Sequence, residues 1–352
     1  MNESNLIREN FSNTNKETKP KSLNGRLAKD IMHTFKELSI LFEEKFKTRH
    51  FPQQPEKLYD ASQYLLTLGG KRIRPVMCLM GNEMFGEIKE DAYHVATAIE
   101  LFHNFTLIHD DIMDRAPIRR GMQTVHTRFG ESTALLAGDV MLVTGYENIQ
   151  KVNIDFLPKI LFLFNKTAKE VCEGQQMDMD FEKMPDVSFD EYLEMITLKT
   201  SVALAASLQL GAILGGAGLG NQHHLYEFGK NLGIAFQVQD DYLDAFGDPE
   251  IFGKKPGGDI MANKKTFLLI QAMKVASEAQ QKELSRLLSL DDESKIQSVT
   301  NMYRLCNVDE WAKELKQNYF SKAMEHLEEV AVVSTRKKPL EELARYLMDR
   351  DA

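Results

Sequence analysis

Apolar residues recur at helical spacing along most of this chain. In one segment they stand at Ala92, Val95, Ala96, Ile99 and Phe102, three or four positions apart, so that one face of a helix carries all of them. Alternation of apolar and polar residues, the pattern of a half-buried strand, is hard to find. Long segments lack proline, and glycine and proline cluster at intervals where helices are expected to end. The pattern predicts an all-α protein of many helices.

The most apolar stretch of the sequence runs from Ser201 to Gly220. Ser207, Gln209 and a glycine-rich end interrupt it, which makes it a poor candidate for a membrane span. We therefore expect a buried core helix here and no transmembrane segment.

The chain is expected to form one domain rather than two, because no low-complexity linker divides it after its first residues. Residues 1–25 are rich in Asn, Ser, Thr and Lys and contain no apolar core, so they do not resemble a signal peptide. We interpret 1–25 as a flexible polar extension and 26–352 as the single folded domain.

The composition limits the classes of function. A net charge of −9 over 352 residues argues against a nucleic-acid binder, because binding to a phosphate backbone depends on an excess of Lys and Arg. Cys78, Cys172 and Cys306 are far apart and form no Cys-x-x-Cys motif, so neither a disulfide framework nor a thiolate zinc site is indicated. A reducing cytoplasm is the expected compartment, and small molecules are the expected partners.

The candidate chemistry begins with an acidic pattern, Asp-Asp-x-x-Asp, that occurs twice and each time ends an apolar stretch. The two copies consist of Asp110, Asp111 and Asp114 and of Asp240, Asp241 and Asp244. In a helix the first and last Asp of each copy lie one turn apart on one face. Two carboxylates about 4 Å apart repel by roughly 4 kcal/mol at an effective dielectric near 20. A bound cation would relieve this repulsion, and Mg²⁺ fits because it takes carboxylate, water and phosphate oxygens.

Basic segments accompany both acidic copies. They contain Lys71 and Arg74 after a Gly-Gly pair, Arg119 and Arg120 after the first copy, and Lys254 and Lys264 after the second. Guanidinium and ammonium groups bind phosphate oxygens well. A single acidic or basic run is often a hydrated surface, whereas this combination predicts a pocket for diphosphates.

These segments together resemble the trans-isoprenyl diphosphate synthases of the polyprenyl synthetase family, in particular the short-chain geranylgeranyl and farnesyl diphosphate synthases. Five motifs carry the resemblance in family order: Gly69 to Pro75, Leu107 to Gly121, Lys199-Thr200, Phe236 to Asp244, and Gly253 to Asp259. The resemblance implies a helical bundle around a deep central cavity and a homodimer. It also implies head-to-tail condensation of isopentenyl diphosphate with an allylic diphosphate.

The resemblance further implies roles for individual residues. Magnesium would be held by Asp110, Asp111, Asp114, Asp240 and Asp244, with Asp241 in a supporting role. The allylic diphosphate would be neutralised by Arg119, Lys199 and Lys254, with Lys264 as a further phosphate contact. Isopentenyl diphosphate would be bound by Lys71, Arg74, His103 and Arg120. The developing carbocation would be faced by Thr200 and Gln237.

The reaction explains why these residue types are needed. Cleavage of the allylic C–O bond leaves a diphosphate with added negative charge and an allyl cation, so metal and fixed cationic groups stabilise the leaving group. The isopentenyl double bond then attacks the cation, and the released diphosphate accepts the lost proton. Apolar walls exclude the water that would quench the cation.

The resemblance places the determinants of product length about one turn before the first acidic copy. Phe105 and Thr106 stand five and four positions before Asp110, and Phe102 lies one turn deeper. An aromatic residue followed by a small one, before an uninserted acidic motif, resembles geranylgeranyl diphosphate synthases. Two aromatic residues, or an acidic motif with two extra residues, are typical of farnesyl diphosphate synthases. We therefore expect a C20 product, with the C15 product as the alternative.

Other functions fit the sequence less well. A class I terpene cyclase shares the first acidic motif, but Lys71, Arg74 and the complete second motif argue against it. A noncatalytic subunit of a heteromeric prenyl synthase usually loses an acidic motif, and this chain retains both. A helical calcium-binding or anion-binding protein without chemistry is the least favoured interpretation.

Overall fold

The structure, a computed structural model, describes residues 32–247 and 256–349. The expected extension at 1–25 and the predicted phosphate contact Lys254 lie outside the described residues.

Helices follow one another along the described chain, and the all-α prediction is confirmed. In order they are α1 (Phe35–Phe46), α2 (Glu56–Thr67), α3 (Ile73–Glu83), α4 (Glu90–Met113), α5 (Val125–Phe129), α6 (Glu131–Ile149), α7 (Leu157–Phe181), α8 (Phe189–Ile196), α9 (Val202–Gly215), α10 (Leu219–Phe246), α11 (Gly258–Met261), α12 (Phe267–Val275), α13 (Glu278–Leu288), α14 (Ser294–Leu305), α15 (Val308–Glu328) and α16 (Ser334–Met348). A π-helical turn, Thr197–Ser201, joins α8 to α9.

A small antiparallel hairpin follows α4, where the sequence indicated only a loop. It consists of β1 (Ile118–Arg119) and β2 (Met122–Gln123), with Ile118 opposite Gln123 and Arg119 opposite Met122. Two-residue strands leave no alternating pattern that the sequence could reveal.

Side-chain caps explain where two of the helices begin. Thr34 caps α1 and Ser188 caps α8, and in each case a glutamate three residues later bonds back to the capping residue. The cap at Ser188 matters for the site, because α8 leads directly into the π-helical turn.

Two hydrophobic cores meet along α10 and α15. Phe228 of α10 and Leu327 of α15 belong to the larger core. Val238 of α10 and Val308 of α15 belong to the smaller one. Because α10 passes from one core into the other, the acidic copy at its end is held between buried surfaces.

Helix α9 is the buried helix that the sequence predicted. It packs backbone to backbone on α3, since a Cβ at Gly211 would lie only 1.9 Å from the carbonyl oxygen of Cys78. Within the described part of the chain, one helical stretch, Phe189–Gly215, is long and apolar enough to cross a membrane, and 67% of its most apolar window is buried inside the protein. This extent of burial inside the protein is typical of a core helix.

Candidate active site

The two acidic copies lie at the ends of α4 and α10. The backbone N–H of Asp114 donates to the carbonyl oxygen of Asp110 at 2.8 Å, so helical geometry continues through the first copy. Asp240 and Asp244 lie near the end of α10. The one-turn spacing expected from the sequence is therefore present in both copies.

Lys264 lies within electrostatic reach of both acidic copies. Although desolvation acts in the opposite direction, the carboxylates of Asp178, Asp259, Asp241 and Asp114 raise the pKa of Lys264. Asp114 belongs to the first copy and Asp241 to the second. The fields of the two copies thus converge on one ammonium group, in the arrangement that facing helices of a bundle allow.

Burial dominates the electrostatics of Asp110. It raises the pKa of this carboxyl to about 6, with Asp114 and Asp111 acting in the same direction and Lys199 and Arg119 acting against it. A half-buried carboxylate beside two others is stabilised by any cation that binds there.

Asp111 is engaged differently from the other two acids of its copy. Its side chain is 2% exposed. Its oxygens accept hydrogen bonds from Arg119 Nε at 2.9 and 2.8 Å and from Arg119 Nη2 at 2.8 Å. This bidentate pair clamps the β1–β2 hairpin to the end of α4. Asp110 and Asp114 remain as the outer carboxylates of the copy.

Asp178 is a site residue for which the sequence carried no signal. It lies on α7, and its Oδ2 accepts a hydrogen bond at 2.6 Å from Lys199 Nζ. Helix α7 reaches the π-helical turn so closely that a Cβ at Gly174 would lie 2.3 Å from the backbone nitrogen of Lys199. Packing between distant segments brings Asp178 to the site, and no local motif marks it.

Asp241 connects several groups in the interior. It accepts hydrogen bonds from the Tyr192 hydroxyl and, at 2.8 Å, from Gln237 Nε2. Burial and the charge of Asp259 raise its pKa to about 7, while the bonds from Tyr192 and Gln237 act in the opposite direction. Thr200 Oγ1 donates to Gln237 Oε1 at 3.3 Å. The two residues expected to face the carbocation therefore contact each other.

The carboxylates of the site suit a hard divalent cation. Asp110, Asp114, Asp240 and Asp244 offer oxygen ligands alone. Across 32–247 and 256–349, no three His, Cys, Asp or Glu side chains converge on one point. Mg²⁺ prefers one or two protein carboxylates, with waters and substrate phosphate completing its shell. The donor set thus fits a cation that binds together with a phosphorylated substrate.

Two cavities adjoin along α4. The upper one has a volume of about 330 Å³, and its lining includes Asp110, Phe105, Thr106 and Thr200. The deeper one has a volume of about 30 Å³, and its lining includes Phe102 and Thr106. Because Thr106 lines both, the small side chain there marks the passage from one cavity to the next.

A third cavity, of about 380 Å³, is basic. It contains Lys71, Arg74, His103 and Arg120, the four residues expected to bind isopentenyl diphosphate. Arg74 and His103 also line the upper cavity. The basic cavity therefore opens beside the one that carries Asp110.

Arg74 and His103 form the boundary between these two cavities. Burial and the neighbouring arginines, Arg74 first, hold the pKa of His103 well below its ordinary value. The neutral imidazole can accept from Arg74 Nη1, 3.2 Å from His103 Nε2. The buried Nε of Arg74 has no hydrogen-bond acceptor within the described ranges. The Arg74 guanidinium therefore has donor capacity beyond its contact with His103.

Arg72 and Glu100 support the basic cavity from below, and the sequence did not single them out. Both side chains are 3% exposed and form an ion pair. Arg72 Nε also donates to Glu43 Oε1 at 2.5 Å. The pair holds the start of α3, which carries Arg74, against α4.

Fold and geometry together define an all-helical protein with an acidic cluster at the end of α4, a cavity along that helix and a basic cavity beside it. Residues 55–306 match the polyprenyl synthetase family, and the chain belongs to it.

Known proteins similar to this chain share most of its length. A short chain isoprenyl diphosphate synthase of Methanothermobacter thermautotrophicus is 36% identical over 92% of this chain and 99% of its own. A geranylgeranyl diphosphate synthase of Methanosarcina mazei is 39% identical over 85% of this chain and 91% of its own length. A crystal structure of a geranylgeranyl pyrophosphate synthase superimposes with a TM-score of 0.87 at 42% identity and covers 91% of this chain and 100% of its own.

Proposed function

We propose that this chain is a Mg²⁺-dependent short-chain trans-prenyltransferase that condenses isopentenyl diphosphate with an allylic diphosphate to give geranylgeranyl diphosphate. The observation that carries the proposal is that the cavity lined by Asp110 and the basic cavity share Arg74 and His103 as a common wall. The names of the similar proteins, geranylgeranyl and short-chain isoprenyl diphosphate synthases, support the product class.

The allylic diphosphate would lie between the acidic copies. Asp110, Asp114, Asp240 and Asp244 would hold Mg²⁺, which supplies Lewis-acid stabilisation to the departing diphosphate. Lys199 and Lys264 would place their ammonium groups on the same leaving group. In the structure both ammonium groups interact with Asp178, so this carboxylate keeps them at the site before a diphosphate arrives.

The isopentenyl substrate would occupy the basic cavity. Lys71 and Arg120 would bind its diphosphate from the exposed side, and Arg74 would donate through its Nε. Neutral His103 would orient Arg74 and add no charge next to the forming cation. The shared wall of the two cavities would bring the isopentenyl double bond beside the allylic carbon that becomes positive.

The growing tail would extend through the upper cavity toward the deeper one. Phe105 lines the upper cavity, and Phe102 lines the deeper one. Thr106 leaves the passage between them open. We propose that the tail passes Phe105 and stops at the base of the deeper cavity, where Phe164 of α7 meets Phe102 with ring centroids 5.5 Å apart.

We also propose a homodimer, formed through the outer face of α6. Leu135, Leu136, Val143 and Tyr146 on this helix are 37–58% exposed. Exposed apolar side chains on one helix are typical of an interface. Helix α6 packs directly on α4, so a second copy would lie behind the first acidic copy. Val143→Glu is expected to yield monomers in light scattering.

The sequence prediction of a cytoplasmic protein remains a proposal. Cys78, Cys172 and Cys306 are all free thiols, which is compatible with a reducing compartment.

The decisive test is to incubate the purified chain with Mg²⁺, labelled isopentenyl diphosphate and dimethylallyl, geranyl or farnesyl diphosphate, and then to size the products. We expect C20 to dominate with each starter. Asp110→Asn serves as the inactive control. Hydrocarbon formed from the allylic diphosphate alone would indicate a terpene cyclase, and no turnover by the isolated chain would indicate a noncatalytic subunit.

A further inference from the structure

We propose that Tyr192 is a positioning residue for this reaction: its hydroxyl orients Asp241, which in turn fixes the amide of Gln237 toward Thr200 at the wall of the upper cavity. The inference rests on the proposed function and assigns a role to a residue outside the acidic and basic motifs.

Tyr192 is placed to act through another residue and not on the substrate itself. It lies on α8, is 3% exposed, and donates its hydroxyl hydrogen to Asp241 Oδ2. Its ring packs against Phe267 with centroids 6.1 Å apart. It lines none of the three cavities described above. The phenol therefore combines a core-filling ring with one polar contact, and that contact is to an acidic motif.

Asp241 determines which end of the Gln237 amide faces inward. Its Oδ1 accepts from Gln237 Nε2 at 2.8 Å; in its ionised form the carboxylate offers only acceptors, which directs the NH₂ end of the amide to it. The carbonyl end, Oε1, then lies 3.3 Å from Thr200 Oγ1. Since partners decide the orientation of an amide, Asp241 turns the negative end of the Gln237 dipole toward Thr200, which lines the upper cavity.

A dipole held in this orientation would stabilise the allyl cation without reorganising as the charge appears. The Tyr192 hydroxyl keeps Asp241 from rotating, because it holds the second carboxylate oxygen while Gln237 holds the first. Without the hydroxyl, the carboxylate and the amide it directs lose their fixed orientation. The effect would fall on the transition state, since neither Tyr192 nor Asp241 is among the residues proposed to bind the two diphosphates.

A double-mutant cycle tests the inference with the full-length enzyme. Tyr192→Phe is expected to lower kcat on the order of tenfold, since a misplacement of about 1 Å can cost up to about a hundredfold. The KM values for both diphosphates and the half-saturating Mg²⁺ concentration are expected to stay unchanged. In a Gln237→Ala background, Tyr192→Phe is expected to change kcat by less than about twofold, because the two residues act in series. Tyr226→Phe, which removes a hydroxyl from α10 away from the site, is the matched control.

Three outcomes would overturn the inference. They are an unchanged kcat in Tyr192→Phe, an equal loss in both backgrounds, and a shifted Mg²⁺ requirement, which would mean that the hydroxyl serves the metal site. Melting temperatures check the fold of each variant. Should Tyr192→Phe fail to fold, Asp241→Asn replaces it in the cycle, because Asn keeps the size and turns one acceptor into a donor. An inactive wild type would refute the proposed function, whereas an active wild type with additive effects would refute only this inference.

Discussion

Replacing Phe164 by Ala is expected to lengthen the main product by about one isoprene unit. The ring of Phe164 meets that of Phe102 edge to face at an interplanar angle of 68°, and both rings line the deeper cavity. Because Phe164 belongs to α7 and Phe102 to α4, the two rings together close the base of the deeper cavity between these helices. Truncation of one ring opens the base while the other keeps its place.

The expected change follows from the volumes. The deeper cavity measures about 30 Å³, much less than the cavity of about 150 Å³ that accommodates benzene. Removing the six-carbon ring of Phe164 therefore adds room for about five further carbons. A Phe→Ala change in a core costs about 3–5 kcal/mol, so the variant is best assayed well below its melting temperature.

The assay is the sizing of dephosphorylated products made from labelled isopentenyl diphosphate and farnesyl diphosphate. Phe105→Ala, which widens the upper cavity, is the companion variant, and it should keep the C20 product if the tail stops at Phe102 and Phe164. Phe320→Ala on α15, which removes a half-buried ring that lines neither cavity, is the matched control. If a folded and active Phe164→Ala variant makes wild-type products while Phe105→Ala makes longer ones, the stop lies in the upper cavity and the reasoning is refuted.

Further predictions concern charge. Arg119→Met leaves a buried carboxylate at Asp111 and is expected to lower the free energy of unfolding by roughly 3 kcal/mol; in urea denaturation the double variant with Asp111→Asn should lose less, and an equal loss would contradict the pairing. The raised pKa of Asp110, about 6, means that the folded metal-free protein binds a proton that the unfolded chain has released above about pH 4. Stability of the metal-free protein should therefore fall as pH rises from about 4 to 6, and it should fall less in Asp110→Asn. Because protons compete with the metal, the half-saturating Mg²⁺ concentration should rise by up to about tenfold per pH unit below 6, and a flat profile between pH 5 and 7 would exclude Asp110 as a ligand. Removal of divalent ions with EDTA should abolish turnover, and restoration by Ca²⁺ as fully as by Mg²⁺ would contradict the magnesium assignment.

The sequence predicted those parts of the site that depend on local geometry. Asp110 and Asp114 could be placed on one face because helical spacing alone determines it. The buried helix α9 could be predicted from its run of apolar residues. Predictions of this kind need no knowledge of what the helix packs against.

Residues that depend on packing between distant segments could not be predicted. Asp178 stands 21 positions before Lys199, and Tyr192 stands 49 positions before Asp241. A lone Asp on a helix or a lone Tyr in a core has no pattern that distinguishes it from its neighbours. Phe164 is a further case, because only the meeting of α4 with α7 makes it the partner of Phe102. The roles of the site residues themselves remain predictions that the experiments above can test.

The π-helical turn at Thr197–Ser201 has a consequence for how this protein tolerates insertions and deletions. An α-helix turns by about 100° per residue, and a π-type bulge contains one residue beyond the regular repeat. Deleting one residue there would restore ordinary helical geometry. It would also rotate Lys199 and Thr200 away from their partners on the facing helices, Asp178 and Gln237. Length at this turn is therefore a fixed property of the enzyme, and laboratory evolution of the protein should find substitutions within it long before it finds a viable change in residue number.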